Sequence, residues 1–121
     1  MATIFVIEDE ETIQFLYKES LQLAGHKIIG SANNGLEAIR QISSMERIPD
    51  VIILDHRMPI KSGLDTLREI KRYKLVNKSK IIFITADPTV RKEVGELGVS
   101  LFIQKPFSVL KLGALISNLT K

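Results

Sequence analysis

The chain has 121 residues, 45% hydrophobic and 26% charged, with four prolines and seven glycines. That is enough for one domain with its own core, and the average balance excludes disorder, collagen-like repeats and coiled-coil arrays as descriptions of the whole. There is no cysteine, which removes disulfides, thiolate zinc sites and cysteine nucleophiles, and a net charge of +3 falls short of a nucleic-acid footprint.

No run nears the roughly 18–20 apolar residues of a bilayer span. The apolar segment Thr3–Ile7 lacks a basic lead-in and ends at Glu8, Asp9, Glu10 and Glu11, unlike a secretory signal. The expectation is a soluble, cytoplasmic protein with no membrane partner.

Thr3–Ile7 is the first of five expected strands. Glu11 to Ala24 follows as a helix, with Ile13, Leu16, Tyr17, Leu21 and Ala24 on one face and Gly25 as its stop. Lys27–Ser31 is a weaker strand that suits a place nearer a sheet edge. Asn33, Asn34 and Gly35 form a turn before a helix over Leu36–Met45, where Leu36, Ile39 and Ile42 recur at helical spacing. Val51–Leu54 and Ile81–Thr85 are nearly unbroken Ile, Val, Leu and Phe, the pattern of parallel strands covered on both faces. Between them a helix begins near Ser62 or Gly63 with Leu64, Leu67 and Ile70. Its end carries Lys71, Arg72, Lys74, Lys78 and Lys80, read as a solvated helix end, with nucleic-acid binding through this cluster as the alternative.

Asp87 and Pro88 open a helix that runs to Gly98. Leu101–Gln104 is the fifth strand, and Ser108 precedes a last helix with Val109, Leu112, Leu115, Ile116 and Leu119 on its face. Five βα units without an internal linker predict a single α/β domain over residues 1–121, with helices on both sides of a parallel sheet and no output domain.

Polar residues follow four of the strands at once: Glu8 and Asp9, then Asp55, then Thr85, then Lys105. Parallel sheets bind ligands just beyond these ends. One such aspartate commonly serves a turn. Carboxylate, hydroxyl and ammonium groups on separate strand ends point to a shared site.

The set Phe5-Val6-Ile7-Glu8-Asp9-Glu10, Leu54-Asp55-His56-Arg57-Met58-Pro59 with Gly63 beyond, Ile84-Thr85-Ala86 and Lys105-Pro106-Phe107 resembles the receiver domains of two-component response regulators across essentially the whole chain. The resemblance implies a flavodoxin-like (βα)5 sandwich with strand order 2-1-3-4-5. It implies that Asp55 accepts a phosphoryl group from a phosphohistidine on a sensor histidine kinase or phosphotransfer protein. Crowded carboxylates need a cation between them, and Mg²⁺, or Mn²⁺ in its place, suits such oxygen donors. Its expected ligands are Asp9, Asp55, Glu8 directly or through water, and the backbone carbonyl of Arg57. Lys105 pairs with Asp55 and then with a phosphoryl oxygen, and Thr85 holds another.

The same resemblance makes Lys105-Pro106 a candidate cis bond, an ordinary trans bond being the alternative. It makes Thr85 and Phe102 a switch pair, although Phe102 lacks the phenolic hydroxyl often found at its position and reads equally as a permanent core aromatic. The output surface then spans roughly Pro88 to Leu119. The chain departs from the usual pattern at Glu8, commonly aspartate, and at His56, commonly apolar, which reads as a half-buried packing residue. Arg57 and Asp87 border the pocket mouth, either as an ion pair hindering water or as independent solvated side chains.

The expectation is a stand-alone phosphorylation switch, monomeric or weakly dimeric, acting on a downstream protein of unknown identity. It would catalyse only its own phosphorylation and dephosphorylation. A pseudo-receiver that binds proteins without phosphorylation is the alternative, and the intact Asp9, Asp55, Thr85 and Lys105 set argues against it. Direct nucleic-acid binding is not expected, since no second helical module exists to enter a groove. The acidic first loop would likewise repel a nucleotide phosphate rather than cradle it.

Overall fold

Continuous runs of β-branched residues need cover on both sides, and here they receive it. A computed structural model describes residues 1–56, 60–74 and 76–121. Within it β1 (Thr3–Ile7), β2 (Lys27–Ala32), β3 (Val51–Asp55), β4 (Lys80–Thr85) and β5 (Leu101–Gln104) form one sheet of order β2-β1-β3-β4-β5. Every pairing is parallel. All of β1 and β3, and β4 beyond Lys80, are buried. The weaker β2 and the short β5 take the edges.

The helices are α1 (Glu11–Leu23), α2 (Gly35–Ser43), α3 (Gly63–Arg72), α4 (Arg91–Leu97) and α5 (Leu112–Leu119). Alternation along the strands separates two cores. Ile4, Val6, Ile53, Ile82 and Ile84 meet Tyr17 and Leu21 of α1 and Leu112 and Ile116 of α5. Phe5, Ile7, Ile52, Leu54, Ile81 and Phe83 meet α2, α3 and Val94 of α4.

Caps set the helix boundaries. Asn34 accepts from the Glu37 N–H at 2.8 Å and Ser62 from the Asp65 N–H at 3.1 Å, which satisfies donors that a first turn leaves open. The expected Pro88–Gly98 helix is a 3₁₀ turn over Pro88–Val90 followed by α4, with Asp87 as its cap and Gly98 in the left-handed region at φ 85°. The last helix likewise begins with a 3₁₀ turn, Val109–Lys111. Among the described residues no helix is long and apolar enough to cross a membrane.

Three buried faces differ from the sequence expectation, two of them because glycines let helices approach closely. On α2 the buried stripe is Gly35, Ala38 and Ile42, while Leu36 is 60% exposed. A Cβ at Gly35 would lie 2.0 Å from the Thr66 hydroxyl and 2.8 Å from the Lys61 carbonyl, so α2 rests its glycine against α3 and turns Leu36 outward. On α5 a Cβ at Gly113 would lie 2.5 Å from that of Ala24, and this contact rotates Leu115 toward solvent. On α1 the buried residues are Tyr17 and Leu21, with Leu16 and Ala24 exposed. The helix ends one residue before Ala24, so that residue does not continue the face.

A buried histidine ties the ends of these elements together. His26 Nδ1 accepts the Ala2 N–H at 3.0 Å, which leaves Nε2 as the donor to the Gly113 carbonyl, also at 3.0 Å.

Gly63 controls the loop beneath the strand ends. A Cβ there would stand 2.1 Å from the Asp55 carbonyl and 2.6 Å from His56 Cα, both backbone. Gly95, within α4, has nothing within 4 Å of its Cβ direction. In urea unfolding, Gly63→Ala is expected to cost about 2 kcal/mol or more through backbone overlap. Gly95→Ala should be neutral or add roughly 0.5–1 kcal/mol through helix propensity. Equal effects would overturn the close-approach explanation.

Candidate functional site

The strand order places β1 beside β3, so the residues that leave those strands emerge side by side. Glu8 continues the face of Ile4 and Val6, and Asp55 that of Val51 and Ile53. Both point toward the α1 and α5 side, where they are almost fully buried, while Asp9 is half-exposed. One carboxylate oxygen from each of Glu8, Asp9 and Asp55 lies within 4.8 Å of the others. Thr85, also buried, closes β4 and accepts the Asp87 N–H at 3.0 Å. Lys105 arrives from the end of β5 and reaches Asp55 Oδ1 at 3.3 Å. The Lys105-Pro106 peptide is cis.

Three carboxylates with one ammonium leave the cluster short of positive charge. Glu8 bears the consequence. Burial, and next the Asp55 carboxylate as hydrogen-bond partner and like charge, push its carboxyl up to about 8 from an ordinary 4.5, against the pull of Lys105. Its Oε2 is buried and the only such side-chain atom without a partner among the described residues. A hard divalent cation would fit this donor set, since it takes carboxylate oxygens from several directions and would satisfy the orphaned atom. Glu8, Asp9 and Asp55 are the side chains placed to hold it. Arg57, expected to add a backbone carbonyl, lies outside the described residues, as do Met58 and Pro59.

The remaining expected residues surround this centre. His56 is half-buried; its Nδ1 accepts the Leu64 N–H at 3.2 Å, helping to seat the first turn of α3. Its ring lies 5.7 Å from that of Phe83. Phe83 stacks on Phe102 at 6.0 Å and 11°, and the Arg91 guanidinium sits 5.3 Å above the Phe102 ring, within cation–π range. Phe102, paired with Phe83, is thus held two residues along the ladder from Thr85, on the same side of the sheet. Asp87 caps the 3₁₀ turn through Oδ1, which accepts from the Thr89 N–H at 2.9 Å and the Thr89 hydroxyl at 2.6 Å. Its proposed pairing with Arg57 lies outside the described residues.

Sequence reading assigned no role to Phe83 or Arg91, and saw Tyr17 only as part of a helix face. Tyr17 is fully buried against this end of the sheet, 6.5 Å from the Phe107 ring. Burial, then the charges of Glu8 and Asp55, drive its phenol upward. A lone tyrosine on an otherwise aliphatic face was the available signal. With Ile13, Ala86, Pro106, Phe107, Val109 and Lys105, Tyr17 lines an apolar depression of about 360 Å³ beside the acid cluster.

Comparison with known proteins places the chain among response regulators. Residues 4–117 match the model of the response regulator receiver domain. The chain is 31% identical over 120 residues to the alkaline phosphatase synthesis transcriptional regulatory protein PhoP of Bacillus subtilis, covering 98% of this chain but 48% of PhoP. It is 27% identical to the chemotaxis protein CheY of Thermotoga maritima, covering 98% and 97% of the two chains. Among solved structures it is similar to the response regulator TrrA of Thermotoga maritima in complex with Mg²⁺-BeF, with 34% identity, a TM-score of 0.81 and coverage of 98% and 99%.

The raised Glu8 carboxyl has a signed consequence for stability without a cation. Above about pH 4.5 the unfolded chain releases a proton that the folded chain retains. The associated stability is complete below that pH and is lost as the pH rises through about 8. In the presence of a chelator, Glu8→Gln is expected to melt with the parent near pH 4.5 and several degrees or more above it at about pH 9, the gap widening between those values. A difference that does not grow with pH would overturn this account.

Proposed function

The chain belongs to the response regulator receiver domain family, whose members accept a phosphoryl group on aspartate, and on that footing we propose that Asp55 is the acceptor here, in a Mg²⁺-dependent switch. The observation that carries the proposal is the grouping at the C-terminal end of the sheet of a buried carboxylate, an ammonium 3.3 Å away and two further acidic side chains within 4.8 Å. Phosphoryl transfer asks little more of a protein than positioning and charge.

A phosphohistidine on a sensor kinase or phosphotransfer protein is the donor. An Asp55 oxygen bonds to phosphorus as the nitrogen–phosphorus bond breaks and its electron pair returns to the imidazole, giving an acyl phosphate. Asp9, Asp55 and Glu8 would hold Mg²⁺, which would supply charge neutralisation for the phosphoryl oxygens. Lys105 exchanges its contact with the Asp55 carboxylate for one with a phosphoryl oxygen. The Thr85 hydroxyl donates to another, which draws the end of β4 toward the phosphate. The depression lined by Tyr17, Pro106 and Phe107 gives the donor protein an apolar footing beside Lys105.

Output follows through α4, β5 and α5. Phe102 contacts both Phe83 and Arg91, and a shift of Thr85, two residues along β4 from Phe83, changes the space available to its ring. Phosphorylation then alters the balance between two packings of this face rather than sending a signal along a wire. The downstream target is a protein that distinguishes them.

Intact-mass analysis after incubation with a small phosphodonor is the direct test. The parent is expected to gain a single phosphoryl group only with Mg²⁺, and Asp55→Asn none. An increment that survives Asp55→Asn, or no increment under any condition, would overturn the assignment.

A further inference from the structure

We infer that Gln14 is the positioning residue for the acidic turn that carries Glu8 and Asp9. The inference rests on the reading of that turn as a Mg²⁺ site, and goes beyond the residues that touch the ion.

The sheet ladder stops short of this turn. Ile7 is the last residue of β1 paired on either side, with Ala32 and with Leu54. Beyond it Glu8 still donates its N–H to the Ala32 carbonyl at 3.0 Å. Its own carbonyl has no strand to pair with, and Gln14 supplies the missing rung. The Gln14 amide nitrogen donates to the Glu8 carbonyl at 2.7 Å and to the Ala32 carbonyl at 3.0 Å. A primary amide has two N–H groups, and both are used. Gln14 is held in turn by α1, its backbone N–H bonding to the Glu10 carbonyl at 2.9 Å.

This staple matters because the turn has little else to close it. Glu8, Asp9, Glu10 and Glu11 are four consecutive acidic residues, and their repulsion favours an open loop. Glu10, at the N-cap of α1, makes no side-chain capping bond. Gln14 thus ties the start of α1 to the ends of β1 and β2 across the turn, and Asp9 lies between the tied points. Without it Asp9 is free to move away from Asp55, and the carboxylates must be gathered at the expense of metal affinity.

The role separates cleanly from plain fold stabilisation and from charge. Gln14→Leu removes both donors without adding charge. Gln14→Glu keeps the shape, removes the donors and adds a negative charge that by itself would tighten cation binding. Titration calorimetry with MgCl₂, at a temperature where circular dichroism shows each protein folded, is expected to give a dissociation constant raised roughly 10-fold in both variants, as for other residues that orient metal ligands. Phosphorylation by a small donor should recover to within about twofold of the parent rate at saturating Mg²⁺, the behaviour of lost positioning rather than lost chemistry. Gln14→Asn, whose amide is one methylene short, should resemble Gln14→Leu.

Parent-like Mg²⁺ affinity in Gln14→Leu, or tighter binding in Gln14→Glu, would overturn the inference and leave Gln14 a structural staple. A parent that binds no Mg²⁺ would instead overturn the metal site itself, and this inference with it.

Discussion

Three carboxylates confined within 4.8 Å at one end of a parallel sheet, with a single ammonium against them, are a charge imbalance that the rest of the molecule must contain. Burial magnifies it, because neither Glu8 nor Asp55 has more than marginal access to water. The fold responds in two ways. Glu8 shifts toward its protonated form, and close contacts hold the Asp55 side of the cluster in place. Gly63 is pressed against the Asp55 carbonyl, His56 is fastened to the start of α3, and Tyr17 occupies the space beneath. A site of this kind holds repulsion in reserve, and a divalent cation relieves it.

The alternation of strand side chains then divides the site between the two faces of the sheet. Glu8 and Asp55 belong to the face that packs on α1 and α5, whereas Thr85 belongs with Phe83 to the face beneath α3 and α4. The site therefore straddles the edge of the sheet. Its acidic half is seated against the helices beside the apolar depression, and its hydroxyl half stands above the stacked rings of Phe83 and Phe102. The ring column ends at Arg91, the first residue of α4, a short helix that packs Val94 and Leu97 on the core and makes the Arg68–Glu93 ion pair to α3.

Much of this was legible in the sequence, for reasons that differ between residues. The strands of the interior could be read because β-branched runs have no other economical use, and their polar successors could be read because the chain turns there. The faces of α1, α2 and α5 were only half legible. Leu36, Leu16 and Leu115 are as apolar as the residues that are buried, and helical spacing alone does not say which stripe is pressed inward. Gly35 and Gly113 decide it, through contacts with Thr66 and Ala24 that lie far away in the chain. His26 was equally silent, since both of its ring nitrogens find partners, Ala2 and Gly113, only after β1 and α5 are in place.

By itself the sequence determined the alternation of strands and helices, the identity of the reactive side chains and their placement at strand ends. These follow from local chemistry: hydrophobic period, turn residues and caps act over a few positions. Only the tertiary structure decided that Glu8 has an oxygen with no partner, that Phe102 contacts both Phe83 and Arg91, and that Gln14 completes the ladder above Ile7. Each depends on distances between segments that the chain brings together by crossing over the sheet, and a hydrogen bond or a like-charge contact changes its meaning within an ångström.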